Sequence, residues 1–109
     1  MTLLAGLLVE TGRYDEALAL ATKAKAIWLK ALGPDHWRTA SAEATEGGAL
    51  AGLKQYAKAE QLLLASHEVL EKDRATGHIY QINSSRWLNK LYQATGQPQK
   101  AAQYRLAQH

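Results

Sequence analysis

The chain contains no cysteine and no phenylalanine, and only two prolines and one methionine. Without cysteine there can be no disulfide framework and no thiolate metal site, and the composition fits a reducing, cytoplasmic setting. Hydrophobic residues still make up 47% of the chain, and most of them are Ala and Leu. That mixture suits close-packed helices rather than sheets, which favour β-branched and aromatic side chains. Long apolar runs are also missing. Met1 to Val9 is apolar, but Glu10 follows at once, so the stretch falls far short of the roughly 20 residues needed to cross a bilayer. It also lacks the basic leading region of a secretory signal. Acidic residues are absent from the last third: Arg74 to His109 holds five basic residues and no acidic one, whereas Met1 to Asp73 holds eight basic and ten acidic. The net charge of +3 is thus concentrated toward the C-terminal end, where it predicts a basic surface able to meet an acidic partner.

What is present is a repeat. Gly12-Arg13-Tyr14-Asp15-Glu16-Ala17, Lys54-Gln55-Tyr56-Ala57-Lys58-Ala59 and Gly96-Gln97-Pro98-Gln99-Lys100-Ala101 align at one constant offset, so that Ala17, Ala59 and Ala101 coincide without a gap. A fixed period of about 42 residues lies in the range that marks a solenoid, in which each unit buries its apolar face only by stacking on its neighbours. The pattern predicts an all-α superhelix of three antiparallel helix pairs within a single domain, 1–109. Its units run at about 1–33, 34–75 and 76–109.

In the first unit, helices are expected over about Thr2 to Thr11 and Tyr14 to Leu32. Ala17, Leu20, Ala21, Ala24, Ile27 and Trp28 form the buried stripe of the second helix. Gly33-Pro34-Asp35 then punctuates the chain, with Asp35 expected to cap the next helix. The second unit repeats the plan over about His36 to Leu53 and Tyr56 to Asp73, with Leu62, Leu63, Ser66, Val69 and Leu70 facing inward. Ala75-Thr76-Gly77 occupies the place of the earlier connection, and the third unit is expected over about His78 to Thr95 and Pro98 to Ala107. Trp28, aligned with Leu70, is expected in the core and Trp37 between units, while Trp87 aligns with Thr45 and Leu3 and has no consistent environment. Ala5 and Gly47 are both small, as a close helix contact requires, and Asn89 breaks that rule.

Gly12, Tyr14 and Ala17 form a Gly-x-Tyr-x-x-Ala turn that resembles the tetratricopeptide repeat consensus, with partial copies at Tyr56 with Ala59 and at Gly96 with Ala101. Leu32-Gly33-Pro34-Asp35-His36-Trp37-Arg38-Thr39-Ala40 resembles the linker of kinesin-light-chain-type repeats, whose period is the same. Together with Gln55 to Leu64 and Lys100 to Arg105, it is similar to repeat arrays at the C-terminal ends of bacterial serine/threonine kinases. No Gly-rich nucleotide loop or His-Arg-Asp catalytic loop accompanies it.

The resemblance implies a non-catalytic scaffold that binds a peptide or partner protein in a concave groove lined by the first helix of each pair. The groove positions it implies are Gly6, Val9 and Glu10, then Ser41, Ala44, Gly48 and Ala51, then Asn83, Arg86, Lys90 and Gln93. Such a groove would be small and smooth at its centre and basic at its C-terminal end, fitting a peptide with an acidic residue or a terminal carboxylate. Gly47 is read as a close helix contact, and Gly48 as a point where a ligand backbone approaches the groove wall. Leu3, Leu4, Leu7 and Leu8 leave the first helix apolar on nearly every side, so self-association through an uncapped end, as a homodimer, is expected, or else continuation into a longer array.

Other classes find less support. His36, His67, His78 and His109 are scattered, and Glu43 and Glu46 lack the His of a di-metal motif, so no metal, cofactor or catalytic residue is assigned. Asp35-His36 has no nucleophile placed beside it. An RNA-binding helical repeat is the alternative that the basic third allows, although five basic residues make a thin phosphate track. A regulatory fragment of a larger signalling enzyme is another.

Overall fold

The structure is a computed structural model that describes residues 2–72 and 74–104, with side chains for 4–72 and 82–104. Six helices follow one another: α1 (Thr2–Glu10), α2 (Tyr14–Leu32), α3 (Trp37–Gly52), α4 (Tyr56–Lys72), α5 (Arg74–Ala94) and α6 (Pro98–Gln103). They form three antiparallel pairs in two layers. α1, α3 and α5 lie side by side, and the second helix of each pair packs behind them, with α2 against α1 and α3 and α4 against α3 and α5. The radius of gyration is 12.6 Å, close to the roughly 13 Å of a compact domain of this length.

The turn inside each pair is the same object made three times. Leu7, Ala49 and Leu91 accept through their carbonyls from Thr11, Leu53 and Thr95. The amides of Arg13, Gln55 and Gln97 donate to Leu8, Leu50 and Tyr92. Each set recurs at the offset of the sequence repeat. Gly12, Lys54 and Gly96 occupy the left-handed region at φ 83°, 67° and 72°. Glycine takes that conformation freely, whereas lysine meets a steric cost from its Cβ.

The core is small-residue helix packing. Ala5, Ala17, Ala21, Ala24, Ala42, Ala49, Ala59, Leu63, Leu70 and Leu88 are all fully buried. Buried hydroxyls are satisfied locally: Thr45 Oγ1 donates to the Ser41 carbonyl at 2.9 Å and Ser66 Oγ to that of Leu62 at 2.7 Å. Gly47 is a close contact, because a Cβ there would stand 2.8 Å from Leu63 Cγ and 3.3 Å from the Ala59 carbonyl oxygen. One unit later Asn89 takes the same place, and its Nδ2 donates to the carbonyl of Ala101 at 2.6 Å. The small-residue rule gives way there to a hydrogen bond with the equivalent carbonyl.

Four expectations are corrected. His36, not Asp35, caps α3: its Nδ1 accepts from the Arg38 amide at 3.1 Å, because the helix starts at Trp37 and Asp35 lies one residue too early. Ala75-Thr76-Gly77 is no connection but part of α5, which begins at Arg74. It lacks the proline that prevents helix continuation at Pro34. Trp28 is half-buried rather than in the core, with the Arg38 guanidinium 5.6 Å from its ring, and the same cation lies 4.9 Å from the Trp37 ring. Ile27 is 47% exposed because α2 has nineteen residues and α1 nine, so α2 overruns its partner by about 15 Å. The last helix ends at Gln103, and the rest of the expected segment lies outside the described residues.

Candidate functional site

Of the expected groove residues, Val9, Glu10, Gly48, Ala51 and Lys90 line one cavity between the first helices, and the face is not a smooth channel. Trp87 of α5 lies across the centre. Its ring sits on Gly48, where a Cβ would meet Trp87 Cδ2 at 2.8 Å, and its far edge reaches α1, where a Cβ on Gly6 would be 4.0 Å from Cη2. The space at Gly48 is therefore filled by the protein's own indole, and it does not admit a ligand backbone. Ser41 and Ala44 are buried at 2% and 1% exposure, and the Ser41 hydroxyl donates to the Arg38 carbonyl. Both belong to the interior rather than to a groove wall. The physical reason is close packing: small residues on α3 draw α5 in, and a large side chain fills what remains.

At the α1 C-terminal end the face stays open. A cavity of about 90 Å³ is lined by Val9 and Glu10 of α1, Tyr14 of α2, Gly48, Ala51 and Gly52 of α3, and Trp87 and Lys90 of α5. The Tyr14 ring lies so close on Gly52 that any Cβ there would overlap it. Trp87 Nε1 is buried without a hydrogen-bond partner among the described residues, an uncommon state for an indole donor. Lys90 lines the cavity, Arg86 stands one helical turn before it on α5, and Glu10 reaches both from the opposite helix. Arg86 Nη1 donates to Glu10 Oε1 at 2.7 Å, and Lys90 Nζ is 3.8 Å from Glu10 Oε2. Here two cations share one carboxylate. Gln93 is exposed with its amide donating to Asn89 Oδ1, and Asn83 is half-buried. Tyr14, Gly52 and Trp87 were not expected at this site. Gly48 and Gly52, spaced one turn apart on α3, were the available signal, since adjacent glycines on one helix face invite large neighbours from other helices.

Two other polar constellations serve the fold. Lys25 of α2 lies 3.2 Å from both Glu43 and Glu46 of α3, and Thr22 Oγ1 donates to Glu46 at 3.0 Å. Burial alone would lower the Lys25 pKa, but Glu46 and Glu43 outweigh it and raise it. Behind α5, His67 Nδ1 is 2.6 Å from Ser84 Oγ and its Nε2 is 3.3 Å from Glu71 Oε1. Burial lowers the His67 pKa, and Glu71 offsets this in part. Hydroxyl, imidazole and carboxylate follow one another as in a nucleophile triad. Ser84 is fully buried, however, out of reach of a substrate, and the set fastens α4 to α5. Burial raises the Tyr92 and Tyr104 pKa values, and for Tyr92 the hydrogen bond its hydroxyl donates to Glu60 at 2.8 Å adds to the shift. Among the described residues no three metal-ligating side chains converge, and no helix is long and apolar enough to cross a membrane.

Of the expected self-association residues, Leu4 and Leu7 are 52% and 60% exposed. Leu8 is buried in the core at 7%, as are its counterparts Leu50 and Tyr92 at 4% and 3%. The Leu3 side chain lies outside the described residues.

No curated protein and no solved structure matches the chain. A family model described as tetratricopeptide repeat matches residues 1–72, about two thirds of the length, spanning the first two helix pairs whose turns and packing recur in the third. With three antiparallel helix pairs, turns repeated at a fixed interval and this match, the chain belongs to the tetratricopeptide repeat family.

Proposed function

We propose that the chain is a non-catalytic interaction module whose α1–α3–α5 face takes an extended or helical peptide bearing an acidic side chain or a terminal carboxylate. The family supports a protein-interaction module in general. The observation that carries the finer reading is the pair of cations at the open cavity: Lys90 lines it beside Ala51, Gly52 and Trp87, Arg86 is joined to it through Glu10, and the two keep 66% and 46% of their side chains exposed. An apolar floor with a charged rim suits a peptide that buries one side chain and presents a carboxylate beside it. A nucleic-acid partner is disfavoured because the five basic residues of the last third make only a thin phosphate track. A cytoplasmic setting rests on the cysteine-free composition. Binding of wild type and of an Arg86→Glu/Lys90→Glu variant to arrays of acidic, neutral and basic decapeptides tests the reading. Acidic sequences should be favoured by wild type and lost by the variant, and an identical profile for both would discard this face.

Self-association through α1 is a second reading, favoured by Leu4 and Leu7. Their equivalents Leu88 and Leu91 are buried at 0% and 2%, so this face is the kind that packs on another helix in the third unit. A second copy presenting the same face would give an isologous dimer. Sedimentation over a range of concentrations should show a dimer that Leu4→Glu/Leu7→Glu abolishes, and a wild-type monomer throughout would overturn it.

A further inference from the structure

We infer that Glu10 sets the specificity of this face by acting as its resident carboxylate, holding Arg86 and Lys90 in the place that a ligand's acidic group would take. The inference rests on the reading that the face binds acidic peptides. Nothing in the repeat asks for a carboxylate at this position. The equivalents of Glu10 one and two units later are Gly52 and Ala94. Nor does the local helix ask for one, since Glu10 is the last residue of α1, where the helix dipole disfavours negative charge. What holds the side chain is tertiary: Arg86 and Lys90 arrive from α5, 76 residues further along for Arg86, and both pair with the same carboxylate. Glu10 also lines the cavity together with Lys90, so its carboxylate is at the site and not merely near it.

The consequence is a threshold. A ligand carboxylate must displace a tethered one, whose effective concentration is high because it is built into the chain. It must also approach against the repulsion of Glu10 itself. Weakly acidic or singly charged segments are thereby disfavoured, and a segment with several acidic groups, able to engage Arg86 and Lys90 together, is preferred. The pair is partly exposed, with 30% of the Glu10 side chain open to solvent, so displacement is feasible and the threshold is modest.

The test uses the full chain and a fluorescein-labelled octapeptide of alternating Gly and Glu, with the Gly-Gln octapeptide as control, read by fluorescence anisotropy at low salt. Glu10→Gln should bind the acidic probe about three- to tenfold more tightly than wild type and leave the control unchanged. Adding Arg86→Gln and Lys90→Gln should remove the gain. Thermal unfolding of each variant separates the roles: if Glu10 is only a strap between α1 and α5, Glu10→Gln lowers the melting temperature and leaves affinity unchanged, which overturns the inference. If wild type binds the acidic probe through Arg86 and Lys90 yet Glu10→Gln binds no better, the resident-carboxylate role falls and the binding face stands. If neither protein binds it, the binding face falls too.

Discussion

α1 and α5 flank α3 from opposite sides and are equivalent by the repeat, yet they meet water differently. Leu4 and Leu7 on α1 are 52% and 60% exposed, while Leu88 and Leu91 at the same positions of α5 are 0% and 2% exposed. The residue type is the same and the helix geometry is the same. What differs is the neighbour: α5 lies against α4, the second helix of the preceding pair, as well as against α3 and α6, whereas among the described residues α1 packs on α2 and α3 alone. In a stacked array a side chain's burial is a property of the stack, and an identical leucine is core in one unit and surface in another.

The largest test of that comparison is truncation at the equivalent sites. Leu88→Ala should destabilise the fold by about 2–5 kcal/mol, and Leu4→Ala should stay within about 0.5 kcal/mol, both read from denaturant unfolding of the monomer. Similar losses would mean that α1 is as fully packed as α5. Next in size is the pair Gly6 and Gly48, which are equivalent positions of the first and second units. Gly48→Ala drives a methyl into the Trp87 ring at 2.8 Å and should cost about 1–3 kcal/mol. Gly6→Ala meets the same ring only at 4.0 Å and should be neutral or stabilising by up to about 1 kcal/mol through helix propensity. If Gly48→Ala also stabilised, Trp87 would not be packed on α3 as described.

A smaller effect is expected at the turns. Lys54 is the one non-glycine of the three left-handed turn positions, so Lys54→Gly should relieve strain that outweighs the extra chain entropy, a gain of about 0.5–1 kcal/mol seen as a melting temperature a few degrees higher. The smallest effect concerns pH. Burial holds the folded His67 pKa below its ordinary value of 6.5. As pH falls through 6.5, the unfolded chain takes up this proton before the folded one does. Stability therefore declines from about 6.5 down to the folded pKa and levels off below it. Ser84 of α5, Glu71 of α4 and the Tyr104 ring face the imidazole, and Glu71 limits the decline. His67→Asn should flatten the stability profile between pH 7 and 5, and an unchanged slope would assign it to another group.

Much of the fold was legible in one quantity, the constant offset between units. It placed Tyr14 to Leu32 as a helix and set the turns at residues 12, 54 and 96, because backbone hydrogen bonds inside a pair are local and recur wherever the sequence recurs. The offset failed at Ala75-Thr76-Gly77, where helical continuation needs only the absence of proline, and at Asp35, where a shift of one residue moved the cap to His36. For the site, the family resemblance put Glu10, Gly48, Arg86 and Lys90 among the groove positions. The resemblance could not show that Arg86 and Lys90 share Glu10, since the Arg86 contact alone spans 76 residues. Nor could it place Trp87, whose equivalents Thr45 and Leu3 have neither its size nor its reach.

By itself, then, the sequence determined the helices, their pairing and the three repeated turns, all of which depend on interactions within a single repeat unit. Tertiary structure decided which leucines are core, which cations are paired, and that an indole lies over Gly48. Those outcomes depend on how closely α1 and α5 approach across α3, and that distance is set by the packing of all three helices together rather than by any one of them.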